Sequence, residues 1–140
     1  MTALIPEYGH ALAALTILCI AVLIQSLLTA PLAFTGKGGQ SPGKITGSPE
    51  QFSWRVLRTY MNSTENLAAF GVIVILAIIA GVSPKWVNLL ASIHVGFRLL
   101  FWAVYYSKLG IKTPGPRTLC YVAAMLANLI LAVMTLMAIL

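Results

Sequence analysis

Charge is what this sequence has least of. Only 9% of its 140 residues are charged, and three of those are acidic: Glu7, Glu50 and Glu65. An ordinary soluble domain is roughly a quarter charged. With 59% hydrophobic residues and a mean hydropathy of +0.91, the chain cannot cover its own surface with polar groups. That excludes a water-soluble globule and leaves lipid as the solvent for most of the molecule. Cysteine is scarce as well. Cys19 and Cys120 are the only two, and neither spacing nor context makes a disulfide or metal site of them. His10 and His94 have no ligand partner three or four residues away, so both read as structural and no metal is expected. A basic surface with interleaved aromatics, the mark of nucleic-acid binding, is absent too.

Four apolar blocks are present, at about residues 8–30, 51–80, 84–108 and 116–140. A helix needs roughly 20 apolar residues to cross a bilayer, and each block is long enough. Lipid offers no partners to backbone amides, so spans are helices or a closed barrel. The runs lack the period-two alternation of barrel strands. The expected fold is therefore all-α: a single integral-membrane domain, 1–140, built as a four-helix bundle. The first block lacks a basic leader and a cleavage site, so it reads as a span rather than a signal peptide.

Punctuation marks the helix ends. In GSPEQ, Ser48 is placed as an N-cap, Pro49 as the first helical residue and Gln51 as the reciprocal partner of a capping box. Gly81 ends the second helix, and Ser83-Pro84 starts the third. Residues 35–50, rich in Gly, Ser and Pro, read as an exposed flexible loop. Basic residues set the orientation. Lys37, Lys44, Arg55 and Arg58 lie on or near the first loop, and Lys108, Lys112 and Arg117 on or near the third. The opposite side has only Lys85, so loops one and three are expected to be cytoplasmic.

The polar residues inside the spans carry the functional argument. Arg55, Arg58, Asn62 and Glu65 share one face of helix two, being three, four and three residues apart. Arg98 and Tyr105 share a face of helix three, and Arg117 and Tyr121 a face of helix four. All three sets fall at similar depth on the same side. Arg98 sits about ten residues from its helix end, ~15 Å deep at 1.5 Å per residue, beyond comfortable snorkelling. Two readings stay open for it. In one, Glu65 and Arg98 form a buried ion pair that fixes packing. In the other, the whole set lines a ligand pocket. Guanidinium groups bind carboxylates bidentately and Glu65 can hold an ammonium, so the complement is a small zwitterion with more than one carboxylate. Apolar walls would admit a second, lipophilic molecule.

These residues resemble a family. RTYMNSTENLAAF (58–70) is similar to the helix-two signature of the MAPEG proteins, the membrane-associated proteins in eicosanoid and glutathione metabolism. FRLLFWAVYYSKL (97–109) followed by PRTLCY (116–121) resembles the family's third helix and the start of its fourth. The resemblance implies a homotrimer that binds glutathione as co-substrate between subunits, near the cytoplasmic face. It implies that Arg58, Asn62, Glu65, Arg98, Tyr105, Thr118 and Tyr121 hold glutathione. Arg117 matches the arginine that stabilises the thiolate in active members. The implied activity is glutathione transfer to lipophilic electrophiles, or reduction of hydroperoxides. Three departures stand out. Met61 replaces a further arginine, Phe101 stands where some members have histidine or tyrosine, and helix one has Gln25 and Ser26 in place of an arginine. They keep a second reading in view, a non-catalytic member that binds lipid or acts as a scaffold. A bacterial inner membrane is the expected location.

Overall fold

The computed structural model describes residues 4–34, 41, 43–109 and 115–140. Four helices follow one another: α1 (Leu4–Thr29), α2 (Phe52–Ile79), α3 (Pro84–Tyr106) and α4 (Pro116–Ile139), with a short 3-10 turn, Ala30–Phe34, after α1. All four are long and apolar enough to cross a membrane. Lys37 and Lys112, expected in the basic loops, lie outside the described residues.

Helix α3 is the centre of the bundle. Half of its apolar window is buried, against 28% or less in the other three. Contacts fix the directions. Tyr8 and Ala11 of α1 bond to Val82 and Asn88 at the start of α3, and Gln25 bonds to Tyr106 at its end. Helices α1 and α3 are therefore parallel. Asn62 of α2 meets Arg98, and Ala124 of α4 meets His94, so α2 and α4 run antiparallel to α3. The buried seam of α1 is Tyr8, Ala11, Ala14, Leu18, Val22 and Gln25, the three- and four-residue spacing that keeps one helical stripe facing inward. Leucines and isoleucines such as Leu23, Ile24, Ile75, Ile79, Leu129 and Ile130 stay exposed. In lipid that carries no penalty.

The ends of the helices depart from expectation in instructive ways. Helix α2 starts at Phe52 with Gln51 in the cap position and no side-chain cap bond. Ser48 is not the N-cap and Pro49 not the first helical residue. Two side chains explain the shift. The Ser48 hydroxyl bonds the Glu50 carboxylate, holding it below its usual pKa. The Arg55 Nη1 donates to the carbonyls of Pro49 and Glu50 at 2.8 and 2.7 Å, so these acceptors are taken before a helical amide reaches them. At the other end of α2 the expectation holds. Gly81 takes φ +72, with Gly81 N–H bonded to Ile78 O and Val82 N–H to Ala77 O, the paired closure of a Schellman motif. Ser83 caps α3 by position, with Pro84 in its first turn, but its hydroxyl makes no cap bond.

Helix α1 begins earlier than expected and bends where it was expected to begin. Tyr8 has non-helical φ/ψ of −106 and 17. The cause is Asn88, whose amide sits in the gap of one backbone hydrogen bond. Its Oδ1 accepts from Ala11 N–H at 2.9 Å and its Nδ2 donates to Glu7 O at 2.7 Å. A side chain inserted into the i→i−4 ladder is a recognised source of kinks. Tyr8 then reaches across to donate its hydroxyl to Val82 O at 2.8 Å.

Replacing Asn88 by leucine keeps the branched shape and removes both bonds. We expect a loss of about 1–2 kcal/mol, since two backbone groups lose their partners near the lipid boundary. The unfolding midpoint in detergent should fall accordingly. An unchanged midpoint would show that the bend does not depend on Asn88.

Candidate functional site

The first half of α2, the last turns of α3 and the first turns of α4 close around a cavity of about 250 Å³. Helix α2 contributes Arg58, Asn62 and Glu65, α3 contributes Phe101 and Tyr105, and α4 contributes Arg117, Thr118 and Tyr121. Four-residue and three-residue steps put each set on a single helical face, so the three faces meet as three short stripes. Arg58 and Glu65 are exposed at the rim. Asn62, Arg117, Thr118 and Tyr121 are half-buried, and Phe101 and Tyr105 are buried.

The floor is aromatic. Trp54 stacks on Tyr105 with centroids 6.3 Å apart and planes at 10°. Phe101 lies 5.6 Å from Tyr105 and 6.3 Å from Tyr121. Arg117 rests its guanidinium over the Tyr105 ring, 4.9 Å from the centroid. That cation–π contact fixes the position of the charge without using up its N–H donors on an anion. The cavity thus holds two guanidinium groups, one carboxylate, an amide and two phenols. Its charge balance is positive, and it suits an anion that also carries one cationic group.

Every residue expected at the site lines this cavity except Arg98. Arg98 is 1% exposed and lies behind the wall. It donates to Asn62 Oδ1 at 2.8 Å and Asn62 O at 3.2 Å, and approaches Ser63 Oγ at 3.5 Å. Its guanidinium also covers the Phe101 ring at 5.2 Å. The ion pair with Glu65 does not form in the chain: the amide and main chain of Asn62 satisfy the buried cation, and Glu65 stays at the rim. This decides the orientation of Asn62. Its oxygen is taken by Arg98, so its NH₂ is the end left for the cavity. Arg98 thus holds Asn62 in place from behind the wall.

Arg55 shares the α2 stripe in sequence but not the cavity. It turns to the loop carbonyls already described and lies over Phe52. Gln25 and Ser26 of α1 also face elsewhere. Gln25 donates to the Tyr106 hydroxyl at 2.8 Å, and Thr59 shares that hydroxyl at 2.9 Å. Ser26 accepts from Tyr60 at 3.3 Å. His94 is structural, stacked on Phe70 at 4.1 Å with Nδ1 donating to Ala124 O at 2.8 Å. Both cysteines are free. No cluster of metal-ligating side chains occurs among the described residues.

Two supporting residues escaped the sequence reading, Ser63 and Trp102. Trp102 Nε1 donates to Ser63 Oγ at 2.9 Å, and Ser63 donates to Thr59 O at 2.7 Å. A signal existed: Trp102 follows Arg98 by four residues and so shares its face.

The sequence profile of the MAPEG family matches residues 11–137. No match was found among curated proteins or among solved structures. The matched stretch runs from the first buried turns of α1 to the last turn of α4 and takes in all three stripes of the cavity. The chain belongs to the MAPEG family, as a protein with four membrane-spanning-capable helices.

Proposed function

We propose that the cavity binds glutathione and that the chain is a membrane glutathione transferase or glutathione-dependent peroxidase. The observation that supports this most is the lining itself: two guanidinium groups, one carboxylate and a pre-oriented amide donor on a shared aromatic floor. Glutathione carries two carboxylates, one ammonium and a thiol. Arg58 and the Asn62 NH₂ suit a carboxylate, and Glu65 suits the ammonium. Arg117 suits the thiolate. A free thiol has a pKa near 8.5, and a nearby cation lowers it. Arg117 also lies at the N-terminal end of α4, where the helix dipole favours negative charge. The thiolate then attacks a lipophilic electrophile arriving from the bilayer, and the protein supplies no nucleophile of its own. The proposal includes a homotrimer whose loops one and three face the cytoplasm, the side on which basic residues gather.

A non-catalytic lipid-binding role is the second reading. Phe101 offers no hydroxyl to the cavity, and Gln25 bonds to Tyr106 rather than to a ligand. Turnover separates the two.

Purified protein should conjugate glutathione to a chlorinated nitroaromatic. Arg117→Ala should lose at least about tenfold in kcat near neutral pH while keeping a glutathione-dependent thermal shift. Its rate should recover as pH rises through about 8.5, where a thiol ionises unaided. Arg58→Ala should instead raise KM. No turnover and no glutathione-dependent shift in the wild type would leave the scaffold reading alone.

Arg98→Lys keeps the charge but cannot hold both oxygens of Asn62 in one planar fork. KM for glutathione should rise about tenfold, the scale of one charge-assisted hydrogen bond, with kcat little changed. An unaltered KM would mean that the Asn62 amide needs no anchoring.

A further inference from the structure

The start of α2 is fastened to the end of α3 by three neighbouring contacts. The Phe52 ring meets Tyr106 edge-on, with centroids 5.7 Å apart. Arg55 Nη2 reaches the Tyr106 carbonyl at 3.5 Å, while its Nη1 holds the carbonyls of Pro49 and Glu50. Between them Trp54 lies flat on Tyr105, with planes 10° apart. Trp54 is half-buried and does not itself line the polar cavity. Tyr105 does line it, and the Arg117 guanidinium lies 4.9 Å from the centre of its ring. One phenol ring thus carries an indole from α2 and a guanidinium from α4. A cation–π contact constrains the cation only as firmly as the ring is held. A tyrosine ring turns about a broad torsion of its own, and a parallel indole against it restricts that turn.

We infer that Trp54 is a positioning residue: through Tyr105 it holds the Arg117 guanidinium in the cavity, and so keeps a thiol bound there ionised near neutral pH. The effect on the thiol rests on the transferase reading of the cavity, whereas the hold on Arg117 does not. Without the indole the Tyr105 ring turns, the guanidinium spreads over several positions, and its mean attraction for a thiolate falls. The thiol then returns towards its free pKa near 8.5. Ionisation gives the thiol proton to water. The thiolate then displaces chloride from a chlorinated nitroaromatic, so no further reactant is needed. Trp54 should therefore act on kcat near neutral pH and hardly on KM, because the carboxylates and ammonium of glutathione are assigned to Arg58, Asn62 and Glu65.

Two measurements on the full chain in detergent test this. The first follows ionisation of bound glutathione with pH, by the ultraviolet absorbance of the thiolate. In Trp54→Leu the bound thiol should ionise about one pH unit higher than in the wild type, and kcat near neutral pH should fall about three- to tenfold. The rate should recover as pH rises past about 8.5. Trp54→Phe keeps a flat ring and should stay close to the wild type. Adding Trp54→Leu to Arg117→Ala should move the ionisation no further. The second measurement needs no ligand. Isotope-labelled arginine gives an NMR signal for the Arg117 Nε–H, assigned by its loss in Arg117→Ala. An aromatic ring shifts the signal of a group lying over it, so this signal should move towards that of an exposed arginine in Trp54→Leu and stay in place in Trp54→Phe. If the leucine variant does not fold, Trp54→Met takes its place. An Arg117 signal that does not move overturns the inference, whatever the glutathione assays show. So does a rate loss that higher pH does not restore and phenylalanine does not rescue, the mark of a purely structural role. A signal that depends on Trp54, in a protein that neither binds nor turns over glutathione, keeps the hold on Arg117 and overturns the transferase reading.

Discussion

One buried cation organises this molecule. Arg98 lies deep in the central helix, where a bare guanidinium is costly and lipid offers no counter-ion. It needs acceptors within a few ångströms, and Asn62 on the antiparallel neighbour provides two. That solution has consequences beyond satisfying the charge. It locks α2 against α3 at one height and one rotation. It also spends the acceptor end of Asn62 and leaves Glu65, one turn further along, unneutralised. Had Glu65 taken the cation, the cavity would have lost its only carboxylate. The arrangement keeps the Arg98 charge behind the wall and the charges of Arg58, Glu65 and Arg117 in front of it.

Polar joints do the specifying elsewhere too. In a membrane there is little hydrophobic drive to bring one helix against another, because lipid tails are as apolar as leucine. Close packing and hydrogen bonds have to choose the partners. Asn88 takes the place of one backbone bond in α1 and so ties the starts of α1 and α3 together. Gln25, Tyr106 and Thr59 tie their other ends to α2. Trp102 and Ser63 add a joint beside Arg98. These contacts hold the central helix at three levels, and the aromatic floor of the cavity is built on that rigid support.

The α4 helix links the polar cavity of the molecule to an apolar one. Its first turns bring Arg117 over Tyr105 at the polar end, and Tyr121 one turn later faces both cavities. Below Tyr121 the surface becomes apolar, with the single exception of Asn128. A polar cavity and an apolar groove thus adjoin along one helix. Family membership supports a glutathione-related or eicosanoid-metabolism role.

Much of this was already determined by the order of residues. The spans follow from run length and from lipid's inability to hydrogen-bond. The meeting of Arg58, Asn62, Glu65, Tyr105, Arg117 and Tyr121 follows from helical periodicity and matching depth, because residues three and four apart must share a face whatever surrounds them. Tertiary structure decided what periodicity cannot: which side chain meets which across a gap. Asn62 and Glu65 lie on the same stripe, and only the height and rotation of α2 against α3 gave Arg98 to the amide. Arg55 turned to the loop carbonyls, and Ser48 to Glu50, because those partners were nearer than a helix terminus. Asn88 found the Ala11 amide across 77 positions of sequence. Local spacing fixes faces, whereas pairings between faces depend on packing that involves the whole bundle at once.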